Sequence, residues 1–243
     1  MKFIFLGIVQ GLTEFLPISS SGHLYLLQKL LVIKEDYLSF FVFLHLATLL
    51  AIIVFFVKQI RLLSQPKLLL NILLITLISG LMGLGIQFYL SSFFGTRFLL
   101  AFCFLINAGI LLSVRPGSSK RSIESISLKD SFFLGFLQGI SPFPGISRAG
   151  ITIVGALRRG FKPIDAFSLS FLMAIPLILG AFVVEFKALG EFELAVSSLG
   201  LGFIAAFAFG LLALKIVKRA LVSAKFKNFA YYCLLMALVT LIV

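Results

Sequence analysis

The sequence predicts an all-α polytopic membrane protein built as an inverted repeat, each half one re-entrant helical hairpin plus three transmembrane helices. Three observations carry this: the composition, two interrupted apolar regions, and a copy relation between those regions. Hydrophobic residues make up 60% of the 243 and charged residues 12%, against roughly 45–50% and 25% in soluble chains. Mean hydropathy is +1.16. So few charges cannot cover a soluble surface, and the same figures exclude disorder, a coiled coil and a disulfide scaffold.

Residues 3–31 open the chain as an apolar region with Pro, Ser and Glu at its middle, where an ordinary span would be most apolar. Its roughly 28 residues are too few for two crossings of a ~30 Å core at ~1.5 Å per residue. A hairpin that enters and leaves by the same face fits better. Irregular backbone at membrane depth survives only against protein or a water-filled cavity, so the centre of this region marks a cavity. Gln10 and Glu14 interrupt the run and no A-x-A site follows, so the segment reads as retained and not as a cleaved signal. Spans are expected at 40–57, 68–90 and 98–114. A second interrupted region occupies 131–160, and further spans are expected at 166–184, 199–217 and 229–243, the last of them short. The whole of 1–243 is thus one transmembrane domain, with a first repeat at 1–114 and a second at 115–243.

The two interrupted regions are copies. At an offset of 128, Phe5 to Gly22 lies on Phe133 to Gly150 with nine of eighteen residues identical and no gap, including Gln10/Gln138, Ser19/Ser147 and three Gly pairs. Shared apolar composition does not explain matched Gln, Ser and Gly. Three spans after each hairpin is an odd number, which turns the second copy upside down, and in inverted repeats the site lies where broken helices meet near the midplane.

The net charge is +12. The cations are scattered between apolar stretches with no continuous basic face, so no nucleic-acid partner is expected. Assigned to the two sides of the expected topology, Lys and Arg divide fourteen against five, which puts the larger set in the cytoplasm. The first hairpin then opens outward and the second inward. Arg158 and Arg159 fall at the second hairpin's cytoplasmic mouth and read as hydrated topology charges. Cys103 and Cys233 lie in apolar stretches and read as small hydrophobes.

The first hairpin centre runs from Gln10 to His23. Gln10 and Glu14 share a helix face, Pro17 stops the helix, and Ser19, Ser20 and Ser21 can cap the next one, whose exposed N–H groups suit an anion. His23 is expected one turn in, near the hydroxyls. The second centre offers Gly145, Ser147, Arg148 and Thr152. A charge at such depth costs ~2.5–3.5 kcal/mol on insertion scales and reads by default as functional. The Arg148 fork suits phosphate oxygens. The bland alternatives are a structural ion pair between Glu14 and Arg148, and a Ser run that only caps a helix. His45, Asn71, Gln87 and Asn107 sit singly in spans and read as helix–helix hydrogen bonders. Glu185, Glu191 and Glu193 read as a solvated loop.

The strings QGLTEFLPISSSGH and PGISRAGITI, with their separation and the hydrophobic layout of the whole chain, resemble the undecaprenyl-diphosphate phosphatase (bacitracin-resistance) family of bacterial membrane proteins. The resemblance implies hydrolysis of undecaprenyl diphosphate to the monophosphate, which recycles the lipid carrier for peptidoglycan synthesis. It also implies a divalent metal, a plasma-membrane location and a site that opens outward. Gln10 and Glu14 fall on the family's acidic pair, Ser20 and His23 on its SS-x-GH stretch, and Ser147, Arg148 and Thr152 on its PG-x-SRSG-x-T stretch. Ala149 departs from the second Ser of that stretch. On this reading Glu14 and Gln10 hold Mg²⁺ or Ca²⁺, and Arg148 clamps the terminal phosphate with support from Ser19, Ser21, Gly145, Ser147 and Thr152. The attacking group is Ser20 with His23 as base, His23 itself, or a water. The expected partners are the polyprenyl diphosphate and the bilayer, and a homodimer is compatible. The rival class is an anionic-lipid flippase, which needs the same Arg and helix ends but not Glu14 together with His23.

Overall fold

A computed structural model describes residues 2–30, 38–90, 96–114, 120–185 and 196–243. Among them every regular element is helical. The expected acidic loop around Glu191 and Glu193 lies outside the described residues.

The first half begins with α1 (Lys2–Phe15) and α2 (Ser20–Leu30), broken at 16–19. Pro17 cannot continue α1, and Ser19 restarts the chain by accepting a hydrogen bond from the Gly22 N–H at 3.3 Å. Then come α3 (Leu38–Phe55), α4 (Val57–Ile60), α5 (Pro66–Leu90) and α6 (Arg97–Leu112). The second half begins with α7 (Leu128–Gly139) and α8 (Arg148–Arg158), broken at 140–147, and continues with α9 (Pro163–Leu172), α10 (Ala174–Glu185), α11 (Val196–Val222) and α12 (Phe229–Ile242). Both interrupted regions are therefore helical hairpins. The six expected spans appear in part. Three stretches, Pro66–Tyr89, Pro163–Val184 and Leu199–Val222, are long and apolar enough to cross a bilayer, and α3 joins α4 at a 79° bend as a fourth. Arg97–Leu112 and Phe226–Ile242 are shorter apolar helices. The break between α9 and α10 at Met173 is explained by Pro176, which has no N–H for the carbonyl four residues back.

Packing crosses between the halves. The first helix of each hairpin lies against the second long helix of the other half, α1 on α11 and α7 on α5, while α6 pairs with α12. Small residues set the α1–α11 distance. A side chain at Gly7 would run into the Gly202 carbonyl, and one at Gly11 into Ala206 and Gly210. These i, i+4 runs of small residues let two backbones approach as membrane helices do. Below the hairpin tips Phe15, Phe56, Phe167 and Phe171 form a buried aromatic cluster, with Phe15 edge-on to Phe171 at 5.5 Å. Exposed apolar side chains such as Phe88, Phe98 and Leu70 cover the outside, as a lipid-facing surface requires.

One expectation fails at the mouth of the second hairpin. Arg159 is not merely a hydrated charge. Its Nε donates to Asp130 Oδ1 at 2.6 Å, and Arg121 forks onto the same carboxylate at 3.2 and 2.6 Å. Ser127 completes a capping box with Asp130. Burial opposes ionisation of Asp130, but the hydrogen bonds from Arg121, Ser127 and Arg159 outweigh it and hold the carboxyl well below the usual range. The staple ties the start of α7 to the end of α8. Arg158 is exposed, as expected.

Candidate active site

The two hairpin tips meet. Ser19 takes a left-handed backbone (φ 69°) and Gly145 a positive φ of 100°, and the Gly145 N–H donates to Ser19 Oγ at 3.0 Å. A Cβ at Gly145 would also strike Cys103, so the close approach requires glycine there. Asn107 on α6 holds both tips at once. Its Nδ2 donates to the Pro17 carbonyl at 2.9 Å, and its Oδ1 accepts from the Ser147 N–H at 3.0 Å. The expectation of a plain helix–helix bond for Asn107 understated its position.

A cavity of about 280 Å³ opens above this junction, lined on its polar side by Glu14, Ser19, Ser20, Ser21, His45, Ser147 and Arg148. Glu14 is its hub. Glu14 Oε1 accepts from Arg148 Nη2 at 3.0 Å, while Oε2 accepts from Ser20 Oγ at 2.8 Å and Gln10 Nε2 at 3.2 Å. His45 Nε2 lies 3.6 Å from the same oxygen. Glu14 and Arg148 side chains are only 8% and 11% exposed, so the pair is a desolvated one. Arg148 rests over the Phe171 ring at 5.7 Å. Two buried polar atoms here lack hydrogen bonds, Arg148 Nη1 and Gln10 Oε1. One is a donor suited to an anion, the other an acceptor suited to a cation.

Residues 3–239 match the family model described as bacitracin resistance protein BacA. The chain belongs to the BacA family. Among BacA relatives, an undecaprenyl-diphosphatase of Thermosipho africanus is 42% identical over 252 residues, covering all of both chains. Proteins of the same name from Thermosipho melanesiensis and Carboxydothermus hydrogenoformans are each 38% identical, covering 97% and 98% of this chain and 96% and 95% of their own. This BacA chain is thus a multi-pass membrane protein by family and by its apolar helices.

Set against the sequence expectations, Gln10, Glu14, Ser19, Ser20, Ser21, Ser147 and Arg148 come together. His23 does not join them. Its Nδ1 sits 2.7 Å from the Ser19 carbonyl and its Nε2 2.7 Å from the Tyr232 hydroxyl. Its ring stacks on Tyr232 and faces a different cavity, near Lys225 and Asn228. Packing against α12 turned it away. Thr152 is also behind the site. Its Oγ1 donates to the Arg148 carbonyl at 2.7 Å and lies 2.6 Å from Ser170 Oγ, fully buried. Gly145 acts through its backbone on Ser19, and Ser147 caps α8 by accepting from the Gly150 N–H at 3.1 Å. Ala149 is fully buried in the core, so the departure from the family stretch removes no hydroxyl from the cavity. The residue that sequence reasoning missed is His45. The available signal was an ionisable side chain alone in a span.

Proposed function

We propose that this chain is a membrane undecaprenyl-diphosphatase, which hydrolyses the terminal phosphate of a polyprenyl diphosphate to leave the monophosphate and inorganic phosphate, and so returns the lipid carrier to peptidoglycan synthesis. The observation that carries the reading is the Arg148–Glu14–Ser20 chain of hydrogen bonds, assembled from two hairpin tips on the floor of one cavity. Phosphoanhydride hydrolysis needs mostly positioning and charge neutralisation. Arg148 keeps one guanidinium nitrogen on Glu14, and its second, Nη1, has no hydrogen bond. A phosphate oxygen would satisfy that donor. Ser20 Oγ–H already points its proton at the Glu14 carboxylate. Glu14 is therefore the base for Ser20 or for a water held there, a role the position of His23 does not support.

The donor set fits a divalent cation. Mg²⁺ typically takes one or two carboxylates plus substrate phosphates and water. Glu14 would supply the carboxylate, and Gln10, whose Nε2 bonds that carboxylate and whose buried Oε1 has no hydrogen bond, would supply a neutral oxygen. Mg²⁺ or Ca²⁺ bound there would neutralise charge on the diphosphate oxygens. The crossed pairing of α1 with α11 and of α7 with α5 supports the inverted repeat. The lysine and arginine asymmetry supports a plasma-membrane site open to the outer face.

The test is phosphate release from undecaprenyl diphosphate by purified protein in detergent, with and without chelator. Release that stops on chelation and returns with Mg²⁺ or Ca²⁺ is expected. Release untouched by chelation would remove the metal role of Glu14 and Gln10. No release, with Arg148-dependent lipid movement in vesicles, would replace hydrolysis by transport.

A further inference from the structure

We propose that the cavity behind the first hairpin tip binds one anionic glycerophospholipid of the cytoplasmic leaflet, with its headgroup phosphate at Lys225 and Asn228 and an acyl chain along α1. The cavity, of about 620 Å³, lies between α1 and the junction of α11 with α12. The hairpin tip parts it from the polar cavity: Ile18 and His23 line the one, Ser19, Ser20 and Ser21 the other. The inference does not depend on what the polar cavity hydrolyses.

The cavity is apolar within and basic at its rim. Val9, Leu12 and Leu16 share one face of α1, and Phe229 on α12 adds to the apolar lining. The hydroxyl on that wall is already used, since Thr13 Oγ1 donates to the Val9 carbonyl at 2.7 Å. A dry cavity of ~150 Å³ accepts a six-carbon ring, so this larger one takes a length of acyl chain. The rim is a built turn. Ala224 takes a left-handed backbone (φ 56°), the Lys225 N–H donates to the Ala220 carbonyl at 2.8 Å, and the Asn228 N–H donates to the Lys225 carbonyl at 3.0 Å. This sets the Lys225 ammonium and the Asn228 amide at the rim, both exposed, and the Asn228 side chain caps no helix.

The charge around the rim has one sign. Residues 196–243 hold five Lys and Arg and no Asp or Glu, and among the described residues none of the five forms an ion pair. On the topology proposed above this end faces the cytoplasm, where basic pockets between membrane helices bind anionic headgroups. A zwitterionic headgroup would bring a second cation to a rim with no carboxylate to receive it. A free phosphate would gain nothing from the apolar wall.

The test uses delipidated full-length protein in detergent, with the first bound lipid counted by native mass spectrometry. Phosphatidylglycerol should bind more tightly than phosphatidylcholine of the same chains. One lysine at an anionic headgroup is worth about fivefold in affinity, so Lys225→Gln should weaken phosphatidylglycerol by about that factor. Asn228→Asp, which puts a carboxylate on the same rim, should weaken it too. Lys58→Gln, an exposed cation on α4 away from the cavity, should bind as the wild type does. Equal affinity for the two lipids, or equal losses in Lys225→Gln and Lys58→Gln, overturns the proposal. Displacement of the lipid by glycerol 3-phosphate would make this a free-phosphate site and overturn it as well.

A second readout fixes the place. Phosphatidylglycerol with a diazirine on one acyl chain should label peptides from 9–16 and 225–232, and label them less in Lys225→Gln. Label spread evenly over the outer helices would mean surrounding lipid only. Tighter binding of undecaprenyl phosphate at the same peptides would make the cavity a prenyl-phosphate site and overturn the phospholipid assignment.

Discussion

In the Arg148→Lys variant the positive charge stays at the tip of the second hairpin, but the planar fork is gone. The guanidinium places Nη2 on Glu14 at 3.0 Å and holds Nη1 apart, buried and without a hydrogen bond. One ammonium on a flexible stem reaches Glu14 or an incoming phosphate oxygen, not both in fixed geometry. On the proposed function the lost interaction is one made to charge that grows in the transition state, and removal of one such donor costs about 2–4 kcal/mol. At ~1.4 kcal/mol per decade that is a fall of roughly 30-fold to 1,000-fold in kcat. Arg158→Lys, at an exposed position, should match the wild type. The assay is steady-state phosphate release in detergent, with thermal unfolding measured alongside. Near wild-type kcat in a folded Arg148→Lys protein would mean that a point charge suffices. Near wild-type kcat in Arg148→Ala would remove the phosphate clamp altogether.

Four further outcomes are expected. Asn107→Leu strands the Ser147 N–H, at a cost of about 1–3 kcal/mol, and leaves the Pro17 carbonyl only the weak Cys233 thiol donor at 3.7 Å, so its melting temperature should fall; an unchanged value would mean that the tips hold each other without α6. Tyr232→Phe removes the hydroxyl beside His23 and should cost about 1 kcal/mol of stability while phosphate release stays within about threefold; a thousandfold loss would return His23 to the chemistry. Because the Asp130 pKa is lowered by folding, its contribution is complete above the unfolded value near ~4 and fades as pH falls below that toward the folded value. Unfolding scans from pH 7 to 3 should show this acid-side loss in the wild type and a flatter profile in Asp130→Asn. Finally, Lys29→Cys and Lys129→Cys, at the mouths of the two hairpins, should label from opposite faces of the membrane; labelling from one face would end the inverted repeat.

The hairpin breaks were legible because proline cannot extend a helix and because the two tips repeat each other residue by residue. Glu14, Ser20 and Arg148 were legible because polar groups in a turn at membrane depth have few other uses. Which side a helical residue faces was not. His23 follows Ser20 by three positions, but the Tyr232 that captures it is 209 residues away in sequence. Thr152 obeys a local rule instead, since a helical threonine commonly bonds the carbonyl four residues back, here that of Arg148. The Ser127–Asp130 capping box was readable as a local pattern, whereas the Arg121 and Arg159 that close on it come from opposite sides of the hairpin. His45 needed the fold: only the packing of α3 on α1 brings it to Glu14.

The crossed pairing of α1 with α11 sets a clock on biogenesis. Gly7 leaves the ribosome early, yet the Gly202 backbone that it packs against is made almost two hundred residues later. At about 5–20 residues per second the first hairpin waits roughly ten to forty seconds for its permanent neighbour. Until the second hairpin emerges, Gln10 and Glu14 lack Arg148, and until α11 follows they lack its cover from lipid as well. The newborn first half therefore needs a temporary shelter for these two polar side chains, in the insertion machinery or at the water interface.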